Sequence, residues 1–208
     1  YAGGSLEGLD REFGRERLLD SPVSENAVTG MCVGAALAGM RPIVFHPRMD
    51  FMLLAVDPIV NQAANWSYLF AGRVTAPVVI RAVINRGGEQ GAQHSQALHS
   101  MFMHVPGLKV VMPSTPSDAK GLLIAAVEDP NPVLYIDDRW LYAEQGAVAP
   151  ELYSTPIGKA AVRRIARPRL CHDRRLHGRR AALRLPSEGR RTDCLKCTNP
   201  CQGPDNLW

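Results

Sequence analysis

Residues 77–84, PVVIRAVI, form a β-branched run broken only by one arginine, and a strand of that kind needs cover on both faces. Three shorter runs repeat the pattern at 42–46, 109–112 and 132–136. Between them lie segments with helical spacing. Residues 24–40 begin at a candidate N-cap, Ser24, and carry closely spaced small and apolar side chains, which predicts a tightly packed buried helix. Residues 51–66 have helical spacing, with a kink or a second helix start expected at Pro58. Residues 94–103 read as helical after a glycine-rich loop at 85–93, and 117–128 as an amphipathic helix. Strand and helix alternate throughout, so the expected architecture is α/β: three layers, with a parallel sheet and helices on both faces. Sites in such sheets form at the carboxyl ends of the strands, where the polar loops fall.

The chain has 208 residues, enough for one buried domain and a remnant. Its net charge of +4 is misleading. Residues 163–208 hold 12 basic and 4 acidic side chains, which leaves 12 basic and 16 acidic in residues 1–162. The body is therefore mildly acidic, and the basic balance does not predict a nucleic-acid partner for it. No apolar stretch approaches the length of a membrane span. The opening residues Tyr1-Ala2-Gly3-Gly4 read as the interior of a longer gene product. Cys32 lies alone in the body, as expected of a reduced intracellular protein, while Cys171, Cys194, Cys197 and Cys201 cluster in the tail with His172 and His177. Three thiolates and an imidazole would suit zinc, but the arginine-rich setting and the loss of periodicity after about Arg164 favour a tail that is disordered or out of frame.

Six segments, DSPVSE (20–25), VGAALAGMRPIV (33–44), DPIVNQAANW (57–66), GAQHSQ (91–96), VPGLKVVMP (105–113) and DAKGLL (118–123), stand in an order that resembles the beta subunit of the decarboxylating dehydrogenase component of 2-oxoacid dehydrogenase complexes. The resemblance runs from about Tyr1 to Arg164. It implies a transketolase-like pyrimidine-binding domain of the thiamine-diphosphate-binding fold over residues 1–164, lacking its N-terminal strand, followed by the tail at 165–208. It also implies a role in oxidative decarboxylation of pyruvate or a related 2-oxoacid, with acyl transfer to lipoamide. The expected partners are an alpha subunit, in a heterotetramer, and a lipoyl acyltransferase core; neither nucleic acid nor membrane is expected. The compartment would be the bacterial cytoplasm or the mitochondrial matrix. An acetoin dehydrogenase beta subunit is the nearest alternative, and a non-catalytic assembly subunit or truncated product is another.

The resemblance assigns roles to individual residues. Glu25 matches the glutamate that activates the cofactor by hydrogen-bonding its aminopyrimidine ring, a task best served by a buried carboxyl. Alone, Glu25 would be an ordinary first-turn acid favoured by the helix dipole. Phe51 falls where an aromatic residue packs against the pyrimidine ring, although on its own it would be core. His94 falls near the substrate and lipoyl entrance, where an imidazole can exchange protons at neutral pH. Val78, Ala126, Val127, Asp129 and Asn131 match a potassium site made mostly of backbone carbonyls, at a helix end whose orphan acceptors favour a cation. Where relatives commonly read Glu-Phe-Met-Thr-Phe-Asn-Phe, this chain reads FHPRMDF (45–51), so His46, Pro47 and Arg48 are expected to reshape the pocket wall. The Gly-Asp-Gly segment that carries magnesium and the diphosphate in such enzymes does not occur in the 208 residues. Those donors, and the magnesium, are expected on the alpha subunit, leaving the chain inactive alone.

Overall fold

A computed structural model describes residues 6–85 and 90–159. The arginine- and cysteine-rich tail, with its candidate zinc cluster, and Gly87-Gly88 of the glycine-rich loop lie outside the described residues. A short exposed helix, α1 (Leu9–Phe13), precedes α2 (Glu25–Leu37) and strand β1 (Ile43–His46). Next come α3 (Met49–Met52), a 3₁₀ turn (Leu53–Ala55), a π-helical stretch (Asp57–Ala63) and α4 (Ala64–Leu69). Strand β2 (Val79–Ile84) leads through a turn at Ala92–His94 and α5 (His99–Phe102) to β3 (Lys109–Val111). The described part closes with α6 (Pro116–Glu128), β4 (Val133–Asp138) and a turn at Arg139–Leu141.

The four strands form one parallel sheet in the order β1-β2-β4-β3. Central β4 is buried at all six positions, Asp137 and Asp138 included, and β2 at all but Arg81, which explains their largely apolar sequences. Alternation then separates two cores. On one face Ile80, Ala82, Ile84, Leu134 and Ile136 meet Val33 and Ala36 of α2, Met49 and Met52 of α3, Phe102 and Leu108. On the other, Val79, Val133 and Tyr135 meet Ala126 of α6. The Tyr135 hydroxyl donates to the Ala119 carbonyl at 2.9 Å and ties α6 to the sheet. The expected three-layer parallel architecture is thus what the chain adopts.

Two local expectations are corrected, and a third is met. The helix read at 24–40 buries only one stripe, Thr29, Val33 and Ala36, while Met31 and Gly34 on its far side are exposed. Ser24 sits at its N-cap without a side-chain capping bond. At Pro58 the second start expected there is what the chain makes: the π-helical stretch begins at Asp57 with the proline in its first turn, where the missing N–H costs least. Residues 94–103 are not one helix. The Asn85 amide donates to the His94 carbonyl (3.0 Å), and the Gln96 N–H donates to Asp50 (3.2 Å). With those backbone groups bonded to side chains, helix resumes only at His99.

Candidate active site

The first residue of α2, the last of β1 and the start of α3 meet at the carboxyl edge of the sheet. Glu25 is half-buried rather than buried, and among the described residues it takes no hydrogen-bond or ion-pair partner. One turn along α2, fully buried Thr29 shares its hydroxyl with His46 Nε2 at 3.1 Å. His46 ends β1 at 2% exposure. Burial pulls its imidazole down to about 4, against the opposing attraction of the Glu25 carboxylate. His46 therefore stands behind the site as a neutral ring rather than lining a wall. Arg48 is half-buried and reaches across to Gln90, donating through Nε at 2.7 Å.

Phe51 and His94, 43 residues apart in sequence, come into contact. Their rings meet edge to face at 5.0 Å between centroids and 86° between planes. Phe51 is half-buried on α3, and His94 is half-buried at the end of the turn Ala92–His94. Asp50, beside Phe51, is 5% exposed, and its Oδ1 accepts from the Gln96 amide side chain (2.8 Å) as well as from the Gln96 N–H. Asn85, fully buried, donates to His94 and to Gln90 Oε1 (3.2 Å) and accepts from Arg139 (3.4 Å). Thr29, Asp50, Asn85 and Gln96 were not singled out from sequence. The available signal was polarity at buried-reading positions: an aspartate opening an apolar helix and an asparagine ending an apolar strand.

A separate corner holds the five potassium-matched positions. The Val78 carbonyl accepts from the Val133 N–H at 3.0 Å. The Arg41 guanidinium donates to the carbonyls of Val127 (2.5 Å) and Asp129 (3.0 Å). The Asp129 carboxylate takes Lys109 on one oxygen and the Asn131 N–H (2.9 Å) on the other. A guanidinium and an ammonium thus already supply positive charge here, and a potassium ion would have to displace Arg41. No group of three His, Cys, Asp or Glu side chains able to hold a metal occurs among the described residues.

The family profile described as transketolase, pyrimidine binding domain matches residues 2–144. This chain belongs to that family. The pyrimidine-binding domain is 48% identical over 159 residues to the beta subunit of acetoin:2,6-dichlorophenolindophenol oxidoreductase from Cupriavidus necator, covering 76% of this chain and 47% of the relative. It is 44% identical over 160 residues to a pyruvate dehydrogenase E1 component subunit beta from Rhizobium meliloti (76% and 35%). It is also 44% identical over 158 residues to a 2-oxoisovalerate dehydrogenase subunit beta from Bacillus subtilis (76% and 48%). The chain thus spans less than half the length of these relatives. Among solved structures, a split-gene transketolase described as an inactive beta4 tetramer shares the fold at a TM-score of 0.53 and 19% identity, covering 73% of this chain and 45% of its own. Among the described residues, no helix is long and apolar enough to cross a membrane.

The pyrimidine-binding domain should lose stability in acid through His46. In the unfolded chain its pKa is ordinary, about 6.5, and in the fold it lies at about 4. The unfolded chain takes up the proton first, so this contribution is complete above pH 6.5 and is lost as pH falls towards 4. The shift corresponds to about 3 kcal/mol. Denaturant titrations between pH 4 and 7.5 should show a slope for the native chain that His46→Phe flattens by about that amount. Equal slopes would mean that His46 is not held neutral.

Proposed function

We propose that this domain supplies the aminopyrimidine-activating half of a thiamine-diphosphate site in the beta subunit of a dehydrogenase acting on pyruvate or a related 2-oxoacid. The observation that carries the reading is the carboxyl edge itself: half-buried Glu25, with no hydrogen-bond or ion-pair partner among the described residues, stands at the start of α2, and Phe51 and His94 meet on α3 and the loop after β2. A carboxyl, an aromatic face and an imidazole are the groups that an aminopyrimidine ring and an adjacent carbonyl substrate would use. Bound there, the cofactor would supply the nucleophilic carbon that cleaves the bond next to the substrate carbonyl. Glu25 would hold a proton at the ring nitrogen, Phe51 would pack on the ring, and His94 would exchange a proton with the reacting oxygen. Acyl transfer to lipoamide would require docking on a lipoyl acyltransferase core, and the compartment would be bacterial cytoplasm or mitochondrial matrix.

The diphosphate and magnesium donors are assigned to an alpha subunit, because the Gly-Asp-Gly segment is missing from these 208 residues. Potassium among Val78, Ala126, Val127, Asp129 and Asn131 remains part of the proposal only with Arg41 swung off Val127 and Asp129. Acetoin cleavage is the second reading, favoured by the 48% identity to an acetoin-oxidising beta subunit. Isothermal titration of thiamine diphosphate with magnesium should show weak binding to this chain alone and tight binding once an alpha subunit is co-expressed. Tight, magnesium-dependent binding by the isolated chain would overturn the shared-site reading. Dye-linked turnover of pyruvate, branched 2-oxoacids and acetoin by the assembled enzyme then separates the two substrate readings.

A further inference from the structure

The segment that carries His94 has few ties of its own. Asn85 holds it on one side through the His94 carbonyl (3.0 Å). On the other side Asp50 Oδ1 accepts both the Gln96 N–H (3.2 Å) and the Gln96 side-chain amide (2.8 Å). Among the described residues, Ser95 Oγ and His99 Nδ1, on either side of Gln96, are buried without a hydrogen-bond partner. Asp50 is thus the polar anchor of this stretch, and it sits on α3 immediately before Phe51. Its Oδ2 is buried and takes no partner among the described residues, so the carboxylate bears a desolvation cost that the two bonds to Gln96 offset. Hydrogen bonds to an ionised acceptor are roughly twice as strong as neutral ones, which suits a clamp of only two bonds.

We propose that Asp50 is a positioning residue: by gripping Gln96 through Oδ1, it sets the His94 ring edge to face against Phe51. One carboxylate thereby fixes, relative to α3, both an aromatic surface and the imidazole beside it. The catalytic consequence rests on the role given to His94 above; the positioning itself does not.

Both parts are testable in ways that separate them. In the full 208-residue chain labelled with ¹³C-histidine, the His94 ring resonance, assigned by its loss in His94→Gln, should carry a ring-current shift that disappears in Phe51→Leu. Asp50→Ala should move that resonance as far as Phe51→Leu does. Asp50→Asn, whose carbonyl can accept the same two N–H groups, should largely keep it in place. Gln96→Leu, which removes the side-chain bond and keeps the backbone one, should move it part of the way, and it serves if Asp50→Ala does not fold. An unmoved resonance in both Asp50→Ala and Gln96→Leu, or equal movement in Asp50→Ala and Asp50→Asn, would overturn the clamp. In the assembled enzyme Asp50→Ala should lower kcat about tenfold to a hundredfold, the scale of a misplaced catalytic group, with Asp50→Asn restoring most of it. A moved resonance with unchanged kcat would keep the clamp and remove His94 from the chemistry.

Discussion

Glu25→Gln, introduced into the assembled enzyme, should lower the turnover rate about a hundredfold to ten-thousandfold while leaving the fold intact, the cost of losing a positioned proton-transfer group. The substitution is nearly isosteric, and Glu25 has no hydrogen-bond or ion-pair partner among the described residues to be stranded by it. Gln can still hydrogen-bond a ring nitrogen, but it cannot hold or release a proton there. The stability change should be small, because the native carboxylate contributes only about 0.3–1 kcal/mol as a first-turn acid at the N-terminus of α2. Steady-state kinetics, circular dichroism and hydrogen–deuterium exchange at the cofactor's thiazolium carbon together give the answer. Rate and exchange should fall together with an unchanged spectrum. Normal turnover with easier unfolding would reduce Glu25 to a helix-end charge and take the centre out of the proposed function.

The central strands were legible because burial on both faces leaves a mark that needs no long-range information: β2 is apolar except for Arg81, and β4 is apolar up to Ile136, with Asp137 and Asp138 extending it. Helix α6 was legible for a similar reason, and Thr115 caps it by accepting from the Asp118 N–H at 3.1 Å. What periodicity could not show was competition for backbone groups. Residues 94–103 have helical composition, yet Asn85, just after β2, engages the His94 carbonyl that would accept the first helical bond, and Asp50 holds Gln96 from another part of the chain. The site divides in the same way. Glu25, Phe51 and His94 came from resemblance to a family, and the fold then joined Phe51 to His94. The Thr29–His46 pair spans 17 positions and joins a helix to a strand, so no local pattern announces it. Arg41 carries the clearest lesson for a ligand set taken from resemblance. A guanidinium from the loop before β1 already reaches two of the carbonyls that the resemblance assigns to a cation.

Gly107→Ala should unfold the domain far more readily than an alanine placed at a turn with open space around it. Gly107 has φ +85°, a conformation that costs an L-residue about 1–2 kcal/mol. Space is the larger obstacle. A Cβ at Gly107 would lie 2.0 Å from the Ala64 carbonyl oxygen and 3.0 Å from its carbonyl carbon. That obstacle is backbone, not a side chain that can rotate away, and Ala64 is buried where the π-helical stretch passes into α4. Relieving the overlap means moving α4 or the loop before β3, and Ala64 sits in the core with Phe102 and with Leu108, the residue after Gly107. Overpacking of this kind adds about 1–3 kcal/mol, so the total with the conformational cost should reach about 2–5 kcal/mol. Set against a domain stability of about 5–15 kcal/mol, that is a large fraction. Gly72→Ala is the matched control: its φ is +76°, with nothing within 4 Å of the added carbon. Urea unfolding should put Gly72→Ala about 1–2 kcal/mol below the native chain, the conformational cost alone. Equal midpoints for the two variants would mean that the loop before β3 does not approach α4 as closely as described. In the assembled enzyme the Gly107 variant should lose activity with rising temperature, whereas Glu25→Gln should lose it at every temperature. That contrast separates a residue that lets the chain close up from one that takes part in the reaction.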